Sequence, residues 1–152
     1  DLKQAPAGKA PAFMMQALRD PDGANIDRIQ IVKGWLDASG ETQERVYDVA
    51  WSDSDSRKVG SDGKVPSVGT TVDEKEATYT NTIGAPSLTG YWQDPEFDPK
   101  LKAFYYVRVL EIPSPRWLAY DRKNYNLYDV MPKDLLYSSQ ERAYASPIWY
   151  QP

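Results

Sequence analysis

The chain has 152 residues, 41% of them apolar, and a formal net charge of -4, enough for one domain with a real hydrophobic core rather than a disordered polymer. It contains no Cys and no His, which excludes disulfides and thiolate sites and removes the commonest neutral-pH acid–base group and metal ligand. The acidic balance and the lack of a Lys/Arg stripe argue against nucleic acid, and no run of eighteen apolar residues is present to span a membrane.

Residues 1–11 hold two Pro and a Gly with little pattern and read as an N-terminal tail or linker. Residues 12–152 then read as a single β-rich domain. Ala12–Arg19 suits a strand, with Phe13, Met15 and Ala17 on one face, although its composition also fits a short helix. Asp20-Pro-Asp-Gly23 is a turn signal. Ile26–Leu36 follows as a strand with Ile29, Ile31 and Trp35 on one face, interrupted by Lys33; Gly34 marks a bulge or a close approach. Asp37–Gly40 forms a hairpin-like loop that needs a positive φ at Gly40, and Thr42–Trp51 returns as a strand with one apolar and one polar face.

Ser52–Ser67 has the composition of a solvated loop. Asp53 and Asp55 are spaced like the first ligands of a calcium loop, but Arg57 stands at the next ligand position and the required Gly and Glu are missing. Val68–Asp73 reads as a short edge strand and Ala77–Ile83 as a strand exposing three Thr. Gly84–Leu101 is a connection in which Leu88–Trp92 suits a turn of helix and Phe97 tucks onto the sheet.

Ala103–Ile112, AFYYVRVLEI, is the strongest strand of the chain. Phe104, Tyr106, Arg108, Leu110 and Ile112 share one face; Tyr105, Val107, Val109 and Glu111 share the other. Both are mostly apolar, which predicts a central strand covered on both sides. Pro113-Ser-Pro115 should end it. Arg116–Tyr137 reads as a covering excursion, and Glu141–Tyr150 as a last strand, bulged or at an edge because of Pro147. The fold expected is mainly β, an antiparallel β-sandwich with long loops and little helix.

The chemistry-bearing residues are carboxylates and aromatics. Glu41/Glu44, Asp53/Asp55, Glu74/Glu76 and Asp94/Glu96/Asp98 are carboxylate groups of the type a glycosidase needs, but all fall in loops or on polar faces. Trp51, Trp92, Trp117 and the loop tyrosines would suit a sugar-binding platform, or would cover sheets and face a partner. Arg108 and Arg142 are candidate bidentate partners for carboxylates. Arg108, Arg142, Trp92, Trp117 and Trp149 are the candidate interface or pocket-lining residues.

Asp20–Ser52, Ala77–Leu88, Asp94–Trp117 and Gln140–Tyr150 together resemble the C-terminal part of a bacterial family called domain of unknown function 3604. The resemblance implies an exported or periplasmic protein whose catalytic part is similar to PHP-like metallohydrolases of the carbaryl-hydrolase type. It implies that this chain is a C-terminal fragment, an accessory domain that stabilises or partly lines the catalytic domain. The divalent metal would sit in that missing N-terminal domain, with no cofactor in this chain and no catalytic role for Arg108 or Arg142. The partners implied are the catalytic domain itself and, through exposed aromatics, a second copy of the chain. The alternative function is an independent aromatic-rich binding module for carbohydrate.

Overall fold

A computed structural model describes residues 9–132 and 134–152. Most of the tail expected over residues 1–11 therefore lies outside the described residues. The described elements are β1 (Ala12–Leu18), β2 (Ile26–Leu36), β3 (Thr42–Trp51), β4 (Ser87–Gln93), β5 (Ala103–Pro115), α1 (Trp117–Asn124), β6 (Ser138–Tyr144) and β7 (Ile148–Tyr150). All strand pairs are antiparallel. The fold is the mainly β, sandwich-like arrangement with little helix that the strand pattern predicts.

One layer is a five-stranded sheet in the order β3-β2-β5-β6, with β7 also pairing β5. The second layer is a two-stranded ribbon of β1 and β4. β5 is central because both its edges are occupied: β2 pairs one along nearly its whole length, while β6 and β7 divide the other. The break between β6 and β7 falls at residues 145–147, where Pro147 can donate no ladder hydrogen bond. The single closing strand expected over Glu141–Tyr150 is therefore two.

The ribbon lies on one face of the large sheet and closes the core. Met15, Ile29, Ile31, Ala103, Tyr105 and Tyr150 are buried there, with Phe13, Val49, Ala50, Leu88, Trp92 and Phe97 packed against them. Val49 and Ala50 both reach this core because the β2–β3 register shifts between Ile29 and Gln30. Asp20–Gly23 forms the expected turn, with the Gly23 N–H donating to the Asp20 carbonyl at 2.9 Å, and Gly40 takes φ 85°. The Asp20–Gly23 turn carries the chain from one layer to the other, because β1 pairs with β4 and not with β2.

Four expectations are corrected. Leu88–Trp92 is strand rather than helix: Phe13 pairs with Trp92 and Ala17 with Leu88, and this pairing and the burial of Leu88 and Trp92 against the sheet fix a segment whose Gly90 weakens any local pattern. Val68–Asp73 and Ala77–Ile83 form no strands; a single bridge joins Asp73 to Thr78, and Ala77 has φ 50°. The threonines there serve loop hydrogen bonds instead, Thr71 Oγ1 donating to the Thr80 carbonyl at 2.6 Å. β5 runs through Pro113 to Pro115 because the register shifts after Leu110 and β6 continues alongside, Pro113 opposite Gln140 and Pro115 opposite Ser138. The Arg116–Tyr137 excursion contains α1 and packs Ala119 and Tyr137 on Ala77, leaving part of the second face of β5 uncovered.

Candidate functional site

The side chains of β5 that point away from the ribbon meet equivalent side chains on β2, β6 and β7. Phe104 stands opposite Gly34 on one side and Trp149 on the other; Arg108 stands opposite Gln30 and Tyr144. The result is an aromatic row on the outer face. Phe104 and Tyr106 have nearly parallel rings (7°) with centroids 6.3 Å apart, Trp149 lies 5.1 Å from Phe104, and Tyr144 lies 6.2 Å from Tyr106. Alternation along β5 places the first two, and cross-strand pairing adds the others. Tyr144 is 57% and Trp149 46% exposed, so the ends of the row are open to solvent.

The lower end of the row opens into a cavity of about 570 Å³ lined by Gly34, Leu36, Glu44, Phe104 and Trp149. The upper end runs into a broad groove of about 760 Å³ that includes Trp117, Arg142 and Tyr144. Between them, polar side chains flank the rings. Arg108 donates through Nε to Gln30 Oε1 at 2.8 Å, and Gln30 donates through Nε2 to Asp48 Oδ1 at 2.7 Å. Gln30 and Asp48 are themselves buried and hold Arg108 in place, so the border the rings meet is its guanidinium. Aromatic faces beside a fixed donor can hold a ligand whose surface is part apolar and part polar.

Four of the five residues singled out in the sequence gather on this face. Arg108 and Trp149 flank the aromatic row, and Arg142 and Trp117 line the groove at its end, Trp117 being 64% exposed. Trp92 does not join them. It sits between the layers, 4.9 Å from the ring of Tyr47 and 6.0 Å from that of Phe13. Trp51 also leaves the expected platform, its indole N–H donating to the Arg57 carbonyl at 2.7 Å. Phe104, Tyr106 and Tyr144 were missed as a set. The first two were legible as one strand face, but their apolar character pointed to cover rather than exposure.

Two buried ionic clusters lie elsewhere. Lys33 and Asp94 pair at 2.6 Å, and the Tyr105 hydroxyl donates to the same Asp94 oxygen at 2.7 Å. Burial, with Asp94 second, pushes the Tyr105 hydroxyl well above the usual tyrosine range. The space beside this cluster is about 20 Å³, enough for little more than one water and too small for a substrate. The second cluster centres on Asp27, 1% exposed, which accepts from Arg57 at 2.6 Å and Arg28 at 3.0 Å. Those arginines also donate to the Val65 and Pro66 carbonyls, so the cluster ties the 52–66 loop over the upper outer face. Every oxygen of Asp27 is engaged, Gln140 Nε2 donating as well at 2.9 Å, while Arg57 Nε is buried without a partner among the described residues.

Three of the remaining carboxylates are engaged by side chains of other elements. Glu96 pairs with Arg45 and accepts from the Tyr47 hydroxyl, Glu76 pairs with Lys123, and Glu74 accepts from Ser138. Among the described residues no group of three or more acidic side chains is placed to hold a metal ion. No helix among the described residues is long and apolar enough to cross a membrane.

Fold and site together define a β-rich chain with an exposed aromatic face on its larger sheet. The chain belongs to the family described as protein of unknown function (DUF3604), which it matches over residues 1–152. No curated protein and no solved structure matches it.

Proposed function

We propose that the chain is a non-catalytic binding module that takes carbohydrate on the outer face of its five-stranded sheet. The observation that carries this reading is the row Trp149–Phe104–Tyr106–Tyr144, with exposed ends and with the Arg108 guanidinium beside it, held through Nε by the buried Gln30. A sugar offers C–H faces to the rings and hydroxyls to the polar border. A calorimetric screen of soluble glycans against the chain tests it. Saturable binding should appear and should be lost in Trp149→Ala and Tyr144→Ala, whose side chains are exposed enough to be removed without collapsing the core. Absence of binding across a broad screen overturns the reading.

A second reading is favoured by the apolar cavity beside Phe104 and Trp149. In it, the chain is the C-terminal accessory domain of a periplasmic or exported PHP-like metal-dependent hydrolase, and its outer face packs on the catalytic domain that holds the divalent metal. The protein carrying the preceding segment should then hydrolyse in a metal-dependent way while this chain alone does not. Equal hydrolysis by the chain alone, with or without metal, overturns it.

A further inference from the structure

The upper groove carries cationic groups that a neutral sugar does not require. Arg28 and Arg57 are spent on Asp27, Arg45 on Glu96, and Arg122 on the Glu74 carbonyl and the Tyr137 ring, 3.6 Å away. Arg19, away from this groove, donates to the Gly23 carbonyl at 3.0 Å. The other three arginines, Arg108, Arg116 and Arg142, form no ion pair with a carboxylate among the described residues and lie on or beside the outer face. Arg108 uses only Nε, on Gln30. Arg116 makes one long contact, 3.4 Å, to the Leu136 carbonyl. Arg142 is exposed and enters no side-chain hydrogen bond or ion pair among the described residues. In a chain with 22 acidic against 18 basic residues, these three guanidinium groups still keep donors free of any carboxylate at one end of one sheet face.

We propose that the ligand of the outer face is an anionic polysaccharide, bearing carboxylate or sulfate groups that Arg142, Arg116 and Arg108 bind beside the Tyr144 ring. The inference rests on the carbohydrate reading of the same face. Arg108 stands directly across from Tyr144, and Arg142 lies two residues from it on the same face of β6, about 7 Å along the strand. A sugar ring on Tyr144 therefore has a guanidinium across the strand and another along it, and an acidic substituent meets one or both. Arg116, Trp117, Gln140 and Arg142 line the groove into which the polymer would continue. Glu141 is the one carboxylate among the lining residues. Guanidinium is suited to this task because its planar fork matches carboxylate and sulfate oxygens.

The test compares binding of a polyuronate, its neutral methyl ester, a sulfated polysaccharide, a neutral glucan and poly-glutamate to the chain at two salt concentrations. The polyuronate or the sulfated polymer should bind, more weakly at high salt. An Arg116→Gln/Arg142→Gln variant should lose at least about tenfold in affinity for it, and Tyr144→Ala should lose binding altogether. Whichever acidic polymer binds identifies the anion. Neutral glycans bound as tightly, with the arginine variant unchanged, overturn the anionic inference and leave the carbohydrate reading standing. Poly-glutamate bound as tightly as the polyuronate overturns the inference in favour of unspecific charge attraction. No glycan bound at all removes both readings.

Discussion

The ring of Phe104 stands where a side chain at residue 34 would be. A Cβ added to Gly34 would lie 2.4 Å from two carbons of that ring, far inside van der Waals contact. Gly34 and Phe104 are cross-strand partners, so the bare backbone of β2 accepts the ring of β5. Gly34→Ala should displace the ring and cost about 1–3 kcal/mol, as overpacking does. Urea unfolding measures the loss, and near-ultraviolet circular dichroism should report the altered aromatic environment. An unchanged spectrum and midpoint would mean that the ring moves aside freely.

Lys33 and Asp94 are 4% and 3% exposed, so each is the other's substitute for water. Asp94→Ala strands a buried ammonium and should cost about 3–5 kcal/mol. Replacing the three side chains together, Lys33→Met with Asp94→Leu and Tyr105→Phe, removes both charges and the hydroxyl, leaves only the part-buried Glu96 N–H and carbonyl without their side-chain partners, and should restore part of that loss. Chemical denaturation of the single and triple variants checks the pair. A triple variant as weak as the single one would show that packing, not an uncompensated charge, sets the cost.

Leu110 lies on the outer side of β5 and is 9% exposed, opposite Arg28 and Arg142. Leu110→Ala should cost about 2–5 kcal/mol. A loss below ~1 kcal/mol would show that the site collapses around the smaller side chain or that water already reaches it.

Burial lifts the Glu111 carboxyl above the ordinary glutamate value, and Glu141 and Asp20 add to the rise. The folded protein then holds a proton on Glu111 that the unfolded chain has released. Stability from this group is present below the ordinary value and is lost as pH rises through the folded one. Glu111→Gln should therefore flatten the stability profile across that window, measured as melting temperature against pH. An identical profile in the variant would remove Glu111 as the source.

Tyr47 and Tyr105 are raised in the same sense, each by burial first and by a carboxylate neighbour second. Above the ordinary tyrosine value the unfolded chain loses those protons and the folded chain keeps them, so stability falls with rising alkalinity. In an ultraviolet titration their ionisation should appear only together with unfolding. Reversible ionisation of every tyrosine in the folded chain would contradict this.

Much of the architecture was legible because burial on one face of a strand leaves a period of two. Ala103–Ile112 showed its two faces, and Phe13, Met15, Ile29 and Ile31 showed the sides that enter the core. Lys33 appeared only as an interruption of such a face. Its partner Asp94 is 61 residues away, and no local pattern reveals that the two carboxylate and ammonium groups will be buried together. Arg57 likewise appeared as the residue that spoils a calcium loop, whereas it anchors that loop to Asp27.

The sequence by itself determined strand faces, turns and the absence of His and Cys chemistry, because these depend on neighbours a few residues apart or on composition alone. Tertiary structure decided that Leu88–Trp92 is a strand, since pairing with β1 and burial of Leu88 and Trp92 against the sheet fix a segment whose Gly90 weakens any local pattern. It also decided which aromatics form a surface. Trp92 went between the layers, while Phe104, Tyr106, Tyr144 and Trp149 came together from three strands on the side the ribbon does not cover. An apolar strand face looks the same in sequence whether a second layer covers it or solvent meets it, and only the placement of that layer distinguishes core from binding surface.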